Sequence, residues 1–156
     1  MKLIGIAADH GGFELKEILK PLLEKAGYQV KDYGAGQYDE TDDYPDLIGL
    51  LAAGVSKGEV TKGLAVCGSG VGASIVANKF EGVRAALITE TYSAHQGVEH
   101  DDMNILCLGG RVVGLALAWD IIESFLTASY IGGGRFQRRL DKLINFEKQN
   151  FNNIES

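Results

Sequence analysis

The sequence predicts an α/β protein built on an open, mainly parallel five-stranded sheet, and three observations carry that prediction. Over residues 1–110, short apolar runs alternate with stretches of helical periodicity, the pattern of strands joined by crossover helices. The first run, Leu3–Ala8, is almost continuously apolar and stops at Asp9-His10-Gly11-Gly12. A strand buried on both faces of a parallel sheet reads that way before a tight turn into a helix. Third, 21 Gly stand against two Pro, which indicates tight turns and close backbone approaches rather than a Pro-rich linker.

After the first strand, Phe13–Ala26 places Phe13, Leu15, Ile18, Leu19, Leu22, Leu23 and Ala26 mostly three and four residues apart, and Gly27 ends that helix. Pro21 falls inside it, so the helix is either kinked there or broken and restarted. Tyr28–Tyr33 is a second, more alternating strand, followed by a polar loop, Gly34–Asp43, with four acidic residues. Pro45 suits a helix start and Leu47–Val55 continues it. Gly63–Cys67 is the third strand, Gly68–Gly72 its turn and Ala73–Lys79 the next helix. Val83–Ile88 and Asn104–Leu108 are the fourth and fifth strands, with a helix over Thr91–Glu99 between them. Leu115–Leu126 is a strongly apolar helix and Phe136–Lys148 an amphipathic last one.

A chain of 156 residues suits one domain, read as residues 1–148 with a polar, frayed tail over 149–156. Hydrophobic residues at 46% and charged residues at 23% are ordinary for a globular protein. Fifteen basic against 21 acidic residues give a net charge of −6, which argues against an extended nucleic-acid or anionic-membrane surface. Cys67 and Cys107 have neither metal-ligand spacing nor a disulfide framework, so reduced thiols, no metal and a cytoplasmic location are expected. The apolar start, Leu3–Ala8, is too short for a signal-peptide core or a membrane span.

Ligands of open parallel sheets bind beyond the carboxyl ends of the strands. Asp9-His10 follows the first strand, Cys67 and its glycines the third, and His100 stands just ahead of the fifth, so one pocket is expected to gather them. In Cys67-Gly68-Ser69-Gly70-Val71-Gly72 the glycines let backbone approach a ligand, and the helix start behind them favours negative charge. The stretch is no Walker A loop, since no Lys-Ser or Lys-Thr follows. Its bland reading is a plain strand-to-helix turn, with Cys67 a small buried hydrophobe; a thiol beside such a loop makes Cys67 a candidate base or nucleophile. Cys107, within an apolar strand, is read as core. Asp9-His10 is either a ligand contact or a helix cap, and His100 between Glu99 and Asp101-Asp102 is either a supported imidazolium or part of a solvated charge cluster. Arg135, Arg138 and Arg139 concentrate positive charge in an acidic chain, and Arg111 can join them. Guanidinium forks match phosphate, which points to a phosphorylated metabolite; pairing with Asp141 and other carboxylates is the alternative.

These residues resemble a known family, the type B ribose-5-phosphate isomerases, with the galactose-6-phosphate isomerase subunits as relatives. The likeness runs from Lys2 to about Lys148. It is carried by Ala8-Asp9-His10-Gly11-Gly12-Phe13, Asp43-Tyr44-Pro45, Cys67–Gly72, Ala77-Asn78-Lys79, His100-Asp101-Asp102-Met103-Asn104, Gly110-Arg111-Val112-Val113-Gly114 and Gly134-Arg135. The resemblance implies a Rossmann-like three-layer α/β/α sandwich and a cofactor-free aldose–ketose isomerase of the pentose phosphate pathway. It also implies a homodimer or homotetramer with active sites at subunit contacts. By the same resemblance Cys67 matches the proton-abstracting cysteine of one branch. Another branch uses a carboxylate further along the loop, where this chain has none in Gly72-Ala73-Ser74-Ile75. His100 matches the ring-opening histidine. Asp9, His10, Tyr44 and the loop Gly68, Ser69, Gly70, Val71 and Gly72 match substrate contacts. Arg111, Arg135 and Arg139 match phosphate-binding arginines, some of them reaching a neighbouring subunit's site.

Two departures stand out. Asp101 follows His100 where the family usually has Asn, which bears on contacts to sugar hydroxyls. An extra glycine in Ile131-Gly132-Gly133-Gly134-Arg135 leaves Arg138 and Arg139 as alternatives for the second phosphate contact. The expected chemistry is 1,2-isomerisation through an enediolate, with ribose 5-phosphate as substrate and a six-carbon aldose 6-phosphate (allose or galactose) as alternative. A phosphosugar-binding protein without catalysis and a thiol-dependent phosphotransfer or redox protein are the readings from other classes. A shared site is expected to be visible as complementation between a Cys67 variant and an Arg111 variant, if Arg111 comes from the neighbour. The apolar helix Leu115–Leu126, with Trp119 and Phe125, is expected to supply a subunit contact.

Overall fold

The computed structural model describes residues 2–151. Five strands, β1 (Leu3–Ala8), β2 (Gln29–Asp32), β3 (Lys62–Cys67), β4 (Ala85–Leu87) and β5 (Ile105–Gly109), form one sheet in the order β2-β1-β3-β5-β4. Every neighbouring pair is parallel. The helices are α1 (Phe13–Lys25), α2 (Tyr44–Ser56), α3 (Val71–Ala77), α4 (Thr91–Asp101), α5 (Leu115–Thr127) and α6 (Gly134–Phe151). The α/β prediction holds, and the layers follow from alternation along the strands. Ile4, Ile6, Leu64, Val66, Leu106 and Leu108 face α1, α4 and α5, while Ala7, Ala65, Cys67, Ile105 and Cys107 face α2 and α3. Both faces are covered, which is why the strands read as continuous apolar runs. Cys107 sits in the second core, and burial pushes its thiol far above the ordinary range.

Four details differ from the sequence reading. α1 runs unbroken through Pro21, because Pro21 lies on the exposed side where the lost backbone hydrogen bond faces solvent. The buried face of α1 is Leu15, Lys16, Leu19 and Leu23; Ile18, expected inside, is 40% exposed. Phe125, expected on a contact surface, is fully buried, and Trp119 packs partly buried against the same core; the large apolar residues exposed on α5 are Leu115 and Leu117 at its start. α6 continues through Gln149 and Asn150 to Phe151, three residues of the stretch expected to be a frayed tail, and the remainder of that expectation, residues 152–156, lies outside the described residues.

The strand order places the site. From β1 the chain goes to β2 on one side and then crosses to β3 on the other, beyond which β5 and β4 stand, so the order reverses between β1 and β3. The connections leaving those two strands diverge and open a crevice at their carboxyl ends. The opposite, amino edge is where the chain enters each strand. Asn104, leading into β5, accepts a bond there from the Gly63 N–H at 2.9 Å and donates its own N–H to Arg84 at 2.9 Å.

Candidate active site

The crevice is assembled from three strand ends. At the end of β1, Asp9 is buried, and its Oδ1 accepts the Gly11 N–H at 2.9 Å, which closes the turn into α1. At the end of β3, Cys67 is 5% exposed, and its Sγ accepts the Gly70 N–H at 3.1 Å. That bond requires Gly70 at φ +83°, where an added Cβ would stand 2.6 Å from Leu87 Cδ1. Two positions on, Gly72 lets the Tyr44 ring come close, since a Cβ there would be 2.7 Å from the ring. After β5, the Gly110 N–H donates to Cys67 O at 2.8 Å and the Arg111 N–H to Gly68 O at 3.1 Å, which seats Arg111 over the thiol loop. Asp9, Tyr44, Cys67, Gly68, Ser69, Gly72 and Arg111 thereby line a cleft of about 420 Å³. Gly70 and Val71 contribute backbone rather than lining, and the Val71 N–H donates to Ser69 Oγ at 3.3 Å.

Arg111 also lines a second cleft of about 460 Å³ with His10, Glu14 and Tyr38. His10 is anchored by a residue that the sequence reading passed over. Asp42 Oδ1 accepts the His10 backbone N–H at 3.0 Å and the ring Nδ1–H at 2.7 Å, and that side-chain bond raises the His10 pKa above its ordinary value. Asp42 was one of several acids in a polar loop, and no spacing marked it out. Asp9, His10 and Asp42 hold ligand-type atoms within 4.8 Å of one another. Since Asp9 Oδ1 and Asp42 Oδ1 both take N–H donors, the trio reads as a hydrogen-bonded network rather than a ligand set.

The expectation of a single pocket fails within one chain. His100 and Asp101 end α4, the helix that returns to the amino edge, whereas Cys67 and Asp9 stand at the carboxyl edge. The length of β5, roughly 16 Å for five residues, separates the two levels. A residue just ahead of a parallel strand belongs to the edge away from the ligand crevice. His100 accepts the Gln96 amide N–H on Nδ1 at 2.9 Å, and its ring lies 4.4 Å from Phe136. Arg135 stacks its guanidinium 5.0 Å over that same Phe136, and Arg139 follows one turn along α6. His100, Phe136 and Arg135 thus form a second, separate cluster. Of the two places the sequence left open for Arg111, its own chain's cleft or a neighbour's, Arg111 lines its own chain's thiol cleft.

A third finding is the clamp on α4. Arg84 Nε donates to Asp102 O at 2.8 Å and Arg84 Nη2 to Asp102 Oδ2 at 2.9 Å, holding Asp102 at φ 51° directly behind His100 and Asp101. A further cavity, of about 590 Å³, lies between α6 and the β4 edge, with Arg84, Asp101 and Phe146 in its wall. Its described lining includes Ser93 but no cysteine; the Cys67 thiol opens onto the carboxyl-edge cleft instead.

A family model described as Ribose/Galactose Isomerase matches residues 4–143. The chain is 45% identical to ribose-5-phosphate isomerase B of Escherichia coli (strain K12), over 96% of this chain and 99% of that one. It is 36% identical to the D-erythrulose-4-phosphate isomerase of Pectobacterium atrosepticum, over 96% and 97%. Among solved structures it is similar to ribose-5-phosphate isomerase B of Mycoplasma genitalium with bound ribulose-5-phosphate, at 41% identity and a TM-score of 0.88, covering 94% of this chain and 96% of that one. Among the described residues no helix is long and apolar enough to cross a membrane. With the model covering nearly the whole chain and the relatives aligned end to end, the chain belongs to the ribose/galactose isomerase family.

Proposed function

We propose that this protein interconverts ribose 5-phosphate and ribulose 5-phosphate through an enediolate, with Cys67 as the base. The observation that carries the reading is the meeting of the Cys67 thiol, the Asp9 carboxylate and the Arg111 guanidinium in one crevice at the reversal of strand order. Cys67, as thiolate, takes the C2 proton, the C1 carbonyl oxygen becomes the oxyanion of an enediolate, the O2 hydroxyl proton passes to O1 as the C2 carbonyl forms, and the Cys67 thiol returns its proton to C1. Gly70 and Val71 spend their N–H groups on Cys67 and Ser69. The oxyanion therefore falls to the N–H groups of Gly68, Ser69 and Gly72, a narrower set than the whole loop. Stabilisation of that kind is usually the largest single contribution to rate. Asp9 and Tyr44 contact the sugar, and Arg111 with His10 takes the phosphate.

The separation of the two clusters supports a site completed by a second copy of the chain. His100 of that copy moves the proton between the ring oxygen and the C1 hydroxyl, Asp101 contacts the sugar, and Arg135 with Arg139 adds to the phosphate clamp. Arg139 is preferred over Arg138 because four-residue spacing puts it on the same face of α6 as Arg135. A homodimer is the smallest assembly that meets this need. The relative from Pectobacterium supports a second reading, a four-carbon phosphosugar, to which Asp101 in the usual Asn position is relevant.

The test is a panel of four-, five- and six-carbon aldose phosphates, reading kcat/KM for each, with Cys67→Ala alongside. Ribose 5-phosphate should lead, and Cys67→Ala should lose at least about 10²–10⁴-fold in kcat while still binding a phosphosugar acid analogue. Substantial turnover by that variant would remove the proposed base. Binding without exchange of the C2 proton with solvent would favour a non-catalytic phosphosugar-binding protein.

A further inference from the structure

We infer that Asp42 is the positioning residue of the phosphate subsite: it fixes the His10 ring so that only the imidazolium can meet an anion. The inference rests on the proposed phosphosugar reading and adds to it a residue from the loop between β2 and α2. A carboxylate can only accept, so the 2.7 Å contact commits the Nδ1 proton of His10 to Asp42. Nε2 is then the ring atom left for a ligand. In the neutral ring that atom is a bare acceptor, which repels a phosphate; in the imidazolium it is a charged donor. The second bond, from the His10 backbone N–H to the same Oδ1, prevents the carboxylate from following the ring if it swings away.

Asp42 Oδ2 is buried and has no partner among the described residues, so the negative charge of this carboxylate is balanced chiefly by the ring beside it. A half-satisfied, desolvated carboxylate of this kind favours a positive neighbour. The other groups around His10 come from every adjoining element. Asp9, at the end of β1, reinforces the positive ring and Arg111, after β5, opposes it. Asp39 in the same loop is held low chiefly by its bonds from Thr41 and to a lesser degree by His10, and Glu14 of α1 lines the same cleft. The result is a guanidinium, Arg111, and an imidazole whose charged form is favoured, His10, on one cleft of an acidic chain.

The test follows the His10 ring resonances against pH in wild type and in Asp42→Asn, with inorganic phosphate as the probe, together with KM for ribose 5-phosphate. The amide keeps an oxygen for both bonds and removes the charge. In wild type the His10 midpoint should lie above 6.5 and rise further with phosphate; in Asp42→Asn it should fall back towards 6.5. The sign for binding follows: a raised midpoint extends the donor form to higher pH, and affinity is lost as pH climbs past it. Asp42→Asn should therefore lose affinity at lower pH, with KM up about tenfold near about pH 7.5 and the loss carried by KM rather than kcat. Below the variant's midpoint the two proteins should converge. The second ionisation of the sugar phosphate, at about pH 6, acts equally on both proteins and leaves the alkaline limb as the comparison. An unchanged His10 midpoint, or a KM penalty equal at every pH, would overturn the assignment. If the variant does not fold, wild type still decides, since a midpoint at or below 6.5 or no response to phosphate overturns it as well. If no aldose phosphate is turned over, the proposed function falls, while the His10 titration with inorganic phosphate still judges Asp42.

Discussion

Cys67 and Cys107 lie on the same face of adjacent strands, yet their surroundings divide them. Cys107 faces only the packed interior, where burial holds its thiol protonated. Cys67 stands at the end of its strand, opens onto the cleft and accepts an N–H from a glycine loop. Cys107→Ala should therefore keep the kcat/KM of wild type and lose stability by about 1 kcal/mol through lost packing, read as a lower Tm. Loss of activity at retained Tm would mean that Cys107 acts on its neighbour's chemistry. This division was legible in the sequence, because Cys67 borders a glycine cluster and Cys107 sits inside an apolar run. Asp42 was not legible. Its importance comes from a contact spanning 32 residues, and an acid in an acidic loop carries no local mark of it.

At the scale of the element, α1 shows where hydrophobic periodicity misleads. Lys16 occupies a core position, fully buried, and its Nζ donates to Asp32 Oδ2 at 2.7 Å, Ala35 O at 2.7 Å and Glu17 Oε1 at 2.9 Å. A polar residue between Leu15 and Lys20 reads as solvent-facing, and only the return of the chain through β2 supplies its acceptors. The same helix tolerates Pro21 because propensity is overridden by packing of the opposite face. Lys16→Met should destabilise the fold by about 3 kcal/mol, since one charge of a buried pair is removed and the carbonyl of Ala35 loses its donor. For Asp32, burial pushes the carboxyl up, but the bonds from Lys16 and Lys20 prevail and hold it below the ordinary carboxylate value. A lowered carboxyl contributes stability that is complete above its unfolded value, about 3.9, and is lost as pH falls through the lower folded value. The gap between wild type and Lys16→Met should thus narrow in acid, measured as urea midpoints across pH. A gap independent of pH would assign the effect to packing alone.

The whole molecule adds what neither residue nor element could predict, the partition of the candidate site. Five strands, their parallel sense and the chemistry of the β1 and β3 ends were readable from runs, turns and glycines. Which end of the sheet His100 occupies depends on the direction in which α4 returns. Its nearness to β5 in sequence suggested the wrong edge. With Cys67 and Arg111 in one cleft and His100 beside Arg135 at the other edge, a shared site makes a specific demand on mixing experiments. Cys67→Ala and His100→Asn chains should each be strongly impaired alone on the cyclic substrate. In a two-fold dimer, a mixed pair holds one site in which an intact Cys67 faces an intact His100, and one site lacking both. Random reassembly should then restore up to about a quarter of wild-type activity. Cys67→Ala mixed with Arg111→Ala should restore nothing, because those residues serve the same cleft of the same chain and every mixed site lacks one of them. That is the reverse of what an Arg111 supplied by the neighbour would give. Recovery in the Cys67 and Arg111 mixture, or none in verified mixed oligomers of the Cys67 and His100 chains, would overturn the division of the site, while the role of Cys67 would still rest on its own variant.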